Sequence, residues 1–238
     1  MTADELVISP APVPELSIPR PFQGVRLDVD AVRALNVAAA LLLLALAAPL
    51  MLLIALLVKL TSRGPVIFRQ VRVGVDRRAP GSADNRWRRT FDYGGRLFTM
   101  YKFRTMTASS DDRLQVWAQP DDPRVTRLGR MLRKYRLDEL PQLFNVLRGD
   151  MNLVGPRPEQ PRIFAELREQ VDRYAERQRV LPGITGWAQV NQPYDRSLDD
   201  VRGKVQLDLE YIATRSVRRD LAILLRTVPT VVLRRGGW

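Results

Sequence analysis

An apolar run at residues 37–58 constrains the fold of this chain more than any other feature. Its 22 residues, VAAALLLLALAAPLMLLIALLV, contain no charged or polar side chain. A helix over this run is about 33 Å long, which matches the ~30 Å hydrocarbon core of a bilayer. Soluble helices are rarely apolar on every face, and a cleaved signal peptide is shorter and starts earlier. A membrane helix therefore explains the run best.

The residues around the run leave open how this helix meets the membrane. Pro49 lies near the middle, where it removes a helical hydrogen bond and favours a kink. The flank after the run is strongly basic and is therefore cytoplasmic by the positive-inside rule, whereas the flank before it mixes arginine with aspartate. These charges permit either a single span or a helix broken at Pro49 that enters and leaves by the same face.

The overall composition limits the chemistry. The 238 residues include 38 Lys and Arg against 26 Asp and Glu, which gives a formal net charge of +12. Such an excess favours anionic partners, namely nucleic acid, anionic lipid or phosphorylated substrates. The chain contains no Cys and no His, so disulfides, thiolate nucleophiles and histidine bases are excluded. An enzyme of this composition works with carboxylates, Lys, Arg, Tyr and metal ions that bind oxygen.

The apolar run divides the chain into three predicted parts. Residues 1–32 are rich in proline and lack periodicity, which indicates a flexible tail. Residues 33–62 contain the membrane helix. Residues 63–238 are long enough to form one domain, and their mixed strand and helix patterns predict the α/β class.

Two alternating segments, at 64–74 and 95–106, predict the strands of a small β-hairpin. A polar loop at 76–90 joins them. In the second strand Lys102 and Arg104 alternate with aromatic residues, so the two cations share one face. That face either binds anions or is simply the solvated side of the sheet.

Helical periodicity and turn residues organise the rest of the domain. Apolar residues recur at helical spacing in three segments: 126–135, 163–180 and 205–212. The segment at 181–192 is rich in Gly and amide side chains and predicts a loop that binds a ligand or only turns the chain. After Asp220, residues 221–235 are apolar on one side and rich in arginine. They suit a helix in a membrane interface or a C-terminal core helix.

Two adjacent carboxylates, Asp138 and Glu139, stand immediately before Leu140 and Pro141. Proline is favoured at the first position of a helix, so a helix is predicted from Pro141 to a C-cap at Gly149. The carboxylates then lie at a helix N-terminus, where unpaired N–H groups favour anions. A basic helix precedes them, with cations at Arg127, Arg130, Arg133, Lys134 and Arg136. This cluster suits metal-assisted phosphate chemistry, and it also suits plain helix capping and ion pairing.

A rigid turn follows at Gly155-Pro156-Arg157-Pro158-Glu159. The two prolines restrict the backbone on either side of Arg157. The turn either presents Arg157 in a fixed pose to a phosphate or a base, or serves only as a stiff connector.

Taken together, these segments resemble the bacterial sugar transferases, the monotopic polyprenyl-phosphate phosphoglycosyl transferases. The resemblance covers residues 33–235. It rests on the apolar run with Pro49, on the spacing of Asp208 and Asp220, and on four blocks: SRGPVIFRQVRVG, YKFRTM, RLDELPQLFNVLRGDMNLVGPRPE and PGITGWAQVN. The third block is highly specific, and the segments occur in the order of the family.

The resemblance implies transfer of a sugar 1-phosphate from a UDP-sugar to polyprenyl phosphate, with release of UMP. This reaction starts a lipid-linked glycan such as exopolysaccharide, capsule, O-antigen or a glycoprotein glycan. Asp138 matches the family's nucleophile, which forms a phosphosugar–aspartyl intermediate. Glu139 matches its partner, which helps Asp138 to hold Mg²⁺ or manages a proton.

The resemblance also assigns the supporting residues. Pro156, Arg157 and Pro158 match the turn that helps hold the uridine nucleotide, and Asp208 and Asp220 match residues that support the active site. Charge alone, rather than the resemblance, suggests three further phosphate ligands: Lys102, Arg104 and Arg136.

The family's apolar segment is a re-entrant helix broken at its proline, with both ends cytoplasmic. The resemblance therefore implies a helix-rich α/β monotopic membrane protein with a small β-hairpin and interfacial amphipathic helices. Its catalytic domain, residues 63–238, is expected at the cytoplasmic face of the bacterial inner membrane. Nothing upstream resembles four spanning helices, so the chain is similar to the short, catalytic-core-only members. It departs from them at Ala48, where Ser is common, and at Asn36, where an acid is usual.

Two rival functions remain. An inactive membrane-anchored scaffold for glycan assembly enzymes does not explain an intact carboxylate pair. A nucleic-acid-binding protein does not explain the apolar run, so no nucleic-acid partner is expected. The expected partners are the UDP-sugar, polyprenyl phosphate, inner-membrane lipid and downstream glycosyltransferases. The sequence identifies neither the sugar nor the oligomeric state, for which a homodimer is one option.

Overall fold

The computed structural model describes residues 29–76, 94–107, 122–192 and 197–232. Within these ranges the elements, in chain order, are α1 (Val29–Thr61), β1 (Ile67–Val73), β2 (Leu97–Phe103), α2 (Arg127–Lys134), α3 (Gln142–Arg148), β3 (Asn152–Val154), α4 (Pro161–Gln170), β4 (Gly183–Thr185), α5 (Trp187–Asn191), α6 (Leu198–Thr214) and α7 (Val217–Val232). Two 3₁₀ helices lie at Leu137–Glu139 and Tyr174–Arg179. The predicted helix-rich α/β class is confirmed. The predicted tail and the loop at 76–90 lie almost entirely outside the described residues.

Helix α1 contains the apolar run and is long and apolar enough to cross a membrane. It is helical from Val29 to Thr61 with Pro49 inside it, so the predicted break is not confirmed. It also begins at Val29 rather than at the predicted residue 33. The side chains in its middle face outward, and the most exposed include Leu42, Leu46 and Leu52.

The N-terminal end of α1 is bound to the domain that follows. The guanidinium of Arg33 donates to the carbonyl oxygen of Val146 at 2.6 Å, at the last turn of α3. The side-chain oxygen of Asn36 accepts from the backbone N–H of Leu153, in β3, at 2.8 Å. Ala40, one turn further along, is fully buried in the core that these elements share.

The C-terminal end of α1 is bound to the same domain. Arg104, just after β2, donates to the carbonyl oxygen of Ser62 at 2.7 Å and to that of Pro65. Val58 packs with Phe103 and Leu132 in a second core cluster. Both ends of α1 therefore contact one domain, while the apolar middle remains exposed.

Strands β1 and β2 form the predicted antiparallel hairpin, with Phe68 opposite Lys102. Helix α3 covers the free edge of β2 through Asn145, which is fully buried. The Asn145 amide donates to the carbonyl oxygen of Thr99 at 2.7 Å, and its oxygen accepts from the N–H of Tyr101 at 3.1 Å. One side chain thus replaces a missing strand partner and fixes α3, with the carboxylate turn before it, against the hairpin.

Strands β3 and β4 form a two-stranded parallel sheet with Asn152 opposite Gly183. A Cβ on Gly183 would lie 2.1 Å from the backbone nitrogen of Gly155, so this close approach requires glycine. The segment at 181–192, predicted as a loop, instead supplies β4 and α5. The sheet fixes the start of the turn that contains Pro156, Arg157 and Pro158.

The later helices differ from their predicted bounds. The predicted helix over 163–180 is wrong in its second half, because Val171 is extended and Arg173 takes a left-handed φ of 58°. Helix α6 begins earlier than predicted. Its N-terminus has a capping box, in which the Ser197 hydroxyl accepts from the backbone N–H of Asp200 and the Asp200 carboxylate accepts from that of Ser197. Asp220 lies in the first turn of α7 rather than before it.

Replacing Asn145 with Ala should lower the free energy of unfolding by about 2 kcal/mol, because two backbone groups of β2 lose their partners. Chemical unfolding in detergent measures this change. The neighbouring Phe144 is 48% exposed, so Phe144→Ala is the matched control and should change the value by less than about 0.5 kcal/mol. An equal loss of unfolding free energy in both variants would show that Asn145 does not stabilise the edge of β2.

Candidate active site

The two carboxylates lie in a tight turn between α2 and α3. Arg136 adopts a left-handed φ of 54°, and Leu137–Glu139 forms one turn of 3₁₀ helix. Helix α3 then starts at Gln142, directly after Pro141, and ends at Arg148 with Gly149 as its C-cap, whose φ of 82° favours glycine. The predicted helix is confirmed to within one residue at each end.

Glu139 is surrounded by cations from three parts of the chain. Its Oε1 lies 2.6 Å from Arg157 Nη2 and 2.9 Å from Lys102 Nζ. Arg136 Nη1 is 3.8 Å from the same oxygen. The Glu139 side chain is only 7% exposed, so these contacts are poorly screened by water.

This environment fixes the ionisation of Glu139. Burial by itself would raise the pKa of Glu139, but Arg157, Lys102 and Arg136 outweigh it and hold the pKa well below its usual range. Burial lowers the pKa of Lys102, and the neighbouring Glu139 opposes that shift. Glu139 is therefore a carboxylate at neutral pH and is poorly suited to carry a proton.

Asp138 has a different environment although it is the adjacent residue. It is 6% exposed, and within the described ranges no hydrogen bond or ion pair reaches its carboxylate. Burial raises the pKa of Asp138, Glu139 raises it further, and the nearby charges of Lys102 and Arg133 act in the opposite direction. A buried carboxylate that no partner engages is more reactive than one held by several cations.

The turn that carries Arg157 is braced from behind. Arg177 Nη2 donates to the carbonyl oxygen of Arg157 at 3.2 Å. Arg177 Nε donates to Asp208 Oδ2 at 2.7 Å, and both side chains are buried. Asp208 therefore reaches the carboxylate cluster through two arginines. Sequence reasoning missed Arg177 because it lies in the segment predicted as a plain amphipathic helix.

Arg72 of β1 holds the other side of the same turn. Its Nη1 donates to the carbonyl oxygen of Pro158 and to Glu159 Oε1, each at 3.0 Å. A small open cleft lies here, lined by side chains that include Pro156, Arg157 and Arg177. The turn thus forms one wall of this cleft, and Arg157, which lines it, also contacts Glu139.

The remaining predicted residues lie elsewhere. The Arg104 guanidinium is directed at the end of α1, where it donates to the carbonyl oxygen of Ser62. Asp220 accepts a 2.7 Å hydrogen bond from the hydroxyl of Tyr211, which is 3.3 Å from the carbonyl oxygen of Val154. Asp220 therefore supports β3 just before the turn and does not join the carboxylate cluster directly.

The carboxylate pair can be compared with the needs of Mg²⁺. In the described part of the chain, no three acidic side chains lie together as a complete metal cage. Mg²⁺ commonly uses one or two protein carboxylates and takes its other ligands from substrate phosphates and water. Asp138 is unengaged, and Glu139 Oε2 has only a 3.4 Å contact with Arg157. These two oxygen donors fit Mg²⁺ as a partial ligand set.

Comparison with known proteins decides the family. The profile described as bacterial sugar transferase matches residues 29–234, which is most of the chain. The chain belongs to the bacterial sugar transferase family. The match includes α1, the carboxylate turn and the Pro156-Arg157-Pro158 turn, and so covers the whole site described above.

Curated relatives of this sugar transferase carry more specific names. It is 42% identical over 86% of its length to a UDP-N-acetylgalactosamine-undecaprenyl-phosphate N-acetylgalactosaminephosphotransferase of Aeromonas hydrophila, of which it covers 44%. It is 44% identical over 84% of its length to a UDP-glucose:undecaprenyl-phosphate glucose-1-phosphate transferase of Caulobacter vibrioides, of which it covers 69%. It is also 38% identical over 86% of its length to the uncharacterized sugar transferase EpsL of Bacillus subtilis, of which it covers 88%.

The sugar transferase spans less than half the length of some of these relatives, including 36% of an undecaprenyl-phosphate glucose phosphotransferase of Komagataeibacter xylinus. Relatives of nearly equal identity are named for different sugars. Similarity therefore fixes the family without selecting a donor.

The two carboxylates should respond in opposite directions to isosteric substitution. Glu139→Gln should lower the free energy of unfolding by roughly 3 kcal/mol at pH 7, because it leaves buried cations without their counter-charge. Asp138→Asn should raise the melting temperature at pH 7, because it removes a buried carboxylate whose burial the nearby cations only partly offset. Thermal and chemical unfolding in detergent with EDTA measure both changes.

The pH dependence checks the sign of each effect. The pKa of Asp138 is raised, so its ionisation penalises the folded state at neutral pH, and the advantage of Asp138→Asn should vanish below about pH 4. The pKa of Glu139 is depressed, so its stabilisation is present at neutral pH and is lost on acidification. Destabilisation by Asp138→Asn at pH 7 would show that Asp138 is paired in solution.

Proposed function

We propose that this sugar transferase moves a sugar 1-phosphate from a UDP-sugar to polyprenyl phosphate and releases UMP. The observation that carries the proposal is the contrast between two adjacent buried carboxylates. Glu139 is engaged by Lys102 and Arg157, whereas Asp138 has a raised pKa and no bonding partner in the described part of the structure. One carboxylate organises cations, and the other remains available as a nucleophile.

The reaction then proceeds in two displacements at one phosphorus atom. An oxygen of Asp138 bonds to the phosphorus that carries the sugar. The bond from that phosphorus to the oxygen shared with UMP breaks, and UMP leaves with the electron pair. A phosphate oxygen of the lipid next bonds to the same phosphorus and the bond to Asp138 breaks, which yields polyprenyl diphosphate sugar and restores the carboxylate.

The cations around Glu139 supply the electrostatic part of the mechanism. Lys102 and Arg157 are both fixed by Glu139, and Arg157 also lines the cleft, so they can stabilise charge on the transferring phosphoryl group without reorganising. Mg²⁺, held by Asp138 and Glu139 together with diphosphate oxygens, would neutralise further charge on the donor. The low pKa of Glu139 favours this role over proton transfer.

The cleft beside the Pro156-Arg157-Pro158 turn is the proposed nucleotide site. Its walls are braced by Arg72 and by Arg177, which is itself fixed by Asp208. Arg136, at 3.8 Å from Glu139, is placed to add positive charge when the diphosphate binds. Arg104 belongs to the anchoring of α1 rather than to substrate binding.

The contacts of α1 support a monotopic arrangement. A spanning helix has its ends on opposite sides of the bilayer, about 30 Å apart. Here Arg33 and Asn36 near one end and Ser62 near the other are all bound to one domain. We therefore place both ends on the cytoplasmic face of the inner membrane, with the exposed leucines in the bilayer and α7 at its surface.

A UMP-release assay tests the reaction. Purified protein in detergent is given Mg²⁺, polyprenyl phosphate and one UDP-sugar at a time, with Asp138→Asn as the isosteric control. We expect UMP from at least one sugar and a loss of at least about 10³-fold in kcat for the variant. Release by Asp138→Asn at a rate near that of the unmodified protein would contradict the role of Asp138. No UMP from any UDP-sugar would favour the inactive scaffold.

Cysteine labelling tests the topology, and the absence of natural Cys makes single-Cys variants unambiguous. Gly24→Cys and Thr61→Cys mark the two sides of α1. A membrane-impermeant maleimide added to intact spheroplasts should label neither residue, and both should react after permeabilisation. Labelling of residue 24 alone from outside would show that α1 spans the membrane.

A further inference from the structure

The two faces of the β1–β2 hairpin are chemically different. Residues directly opposite each other on antiparallel strands point to the same face, and residues two apart along a strand share that face. Phe68 lies opposite Lys102, and Phe68, Gln70 and Arg72 therefore lie on the Lys102 face. Val71 lies on the other face and is 46% exposed.

The Lys102 face is the one that carries the proposed chemistry. Lys102 Nζ lies 2.9 Å from Glu139 Oε1. About 14 Å along β1 from Phe68, Arg72 binds the carbonyl oxygen of Pro158 at the nucleotide cleft. Phe68 thus lies at the end of this face that is opposite to the proposed nucleotide site.

The Phe68 end of the hairpin is also the end attached to α1. Ile67, the residue before Phe68, lies on the opposite face of β1 and packs against the cluster that contains Ile54 and Val58 of α1. Arg104, two residues after Lys102, binds the carbonyl oxygen of Ser62 just beyond the helix. This end of the hairpin is therefore the one that lies against the C-terminal end of α1.

Phe68 is an unusual residue for that position. It is 36% exposed, although its cross-strand neighbour Lys102 is bound into a buried polar cluster. A large apolar side chain beside a phosphate-binding cation matches an amphiphile whose phosphate and hydrocarbon chain are directly joined. UDP-sugars have no such apolar part next to their phosphates.

We propose that Phe68 contacts the first isoprene units of the polyprenyl phosphate acceptor and so directs its phosphate towards Asp138. This assignment rests on the proposed function. It fixes the order of the two substrates along the hairpin, with the nucleotide of the donor at the Arg72 end and the lipid acceptor at the Phe68 end. Phe68 is then a determinant of acceptor specificity that takes no part in the first displacement.

The test separates the two half-reactions in Phe68→Ala, Phe68→Leu and unmodified enzyme. UMP formed from the UDP-sugar without acceptor reports the first displacement, and steady-state turnover with undecaprenyl phosphate gives the KM of the acceptor. Phe68→Ala should raise that KM roughly tenfold, because burial of a large apolar side chain contributes on that order to binding. The UMP burst and the KM of the UDP-sugar should stay unchanged, and Phe68→Leu should retain most of the affinity.

Val71→Ala is the matched control, since it removes an exposed apolar side chain from the opposite face of the same strand. An equal rise in acceptor KM in Val71→Ala would overturn the proposal, because it would indicate general loss of contact with the detergent. An unchanged acceptor KM in Phe68→Ala, or a diminished UMP burst, would also overturn it and leave the proposed function intact. Absence of UMP from the unmodified enzyme would overturn the proposed function and this assignment together.

Discussion

The carboxylate of Glu139 is the point on which the rest of the site depends. It forms ion pairs with Lys102 of the hairpin and with Arg157 of the proline turn, and it lies in the 3₁₀ turn before α3. Three segments that are far apart in sequence are thereby held within one ion cluster. Since Glu139 is buried and its cations are mostly buried, removing its charge would leave cations that repel each other in a medium of low polarity. Within the described residues the same cations make no direct contact with Asp138, whose pKa stays raised by burial, and that asymmetry is what we propose gives the two carboxylates separate roles.

A second layer of buried charge holds the first in place. Arg177 connects Asp208 of α6 to the backbone of Arg157, and Arg72 connects β1 to Pro158. Buried ion pairs add little net stability compared with well-packed apolar residues, so stability alone does not account for them. Their effect here is positional, because each one fixes the backbone of the turn rather than a side-chain tip. Anchoring of α1 follows the same pattern, with charged or amide groups bound to backbone carbonyls and N–H groups at both ends.

Local sequence patterns correctly predicted those elements whose conformation is set by residues within the element itself. The hairpin followed from alternation, and α3 followed from Pro141 and Gly149, which set its ends through backbone geometry. Prediction failed where distant contacts decide the conformation. Strand β4 exists because Gly183 packs against Gly155, and the helix after Pro161 stops at Gln170 in spite of a continuing amphipathic pattern.

The site residues were also predicted where a local motif identifies them and missed where distant contacts decide their role. Asp138, Glu139 and Arg157 were predicted from a compact motif, and the structure brings Glu139 and Arg157 into contact. Charge alone did not distinguish Lys102 from Arg104, although one reaches Glu139 and the other reaches the end of α1. Arg177 carried no local pattern at all, because its importance comes from the fold that buries it beside Asp208.

We propose that Asp138 is the nucleophile because Glu139 holds the surrounding cations. The most direct measurement is mass spectrometry of enzyme mixed with its UDP-sugar in the absence of polyprenyl phosphate and quenched in acid. We expect about one UMP per enzyme and a sugar phosphate attached to the peptide that contains Asp138, and this adduct should disappear when undecaprenyl phosphate is added. UMP release that begins only when the lipid is present, with no adduct on that peptide, would contradict it and indicate direct transfer between the two substrates.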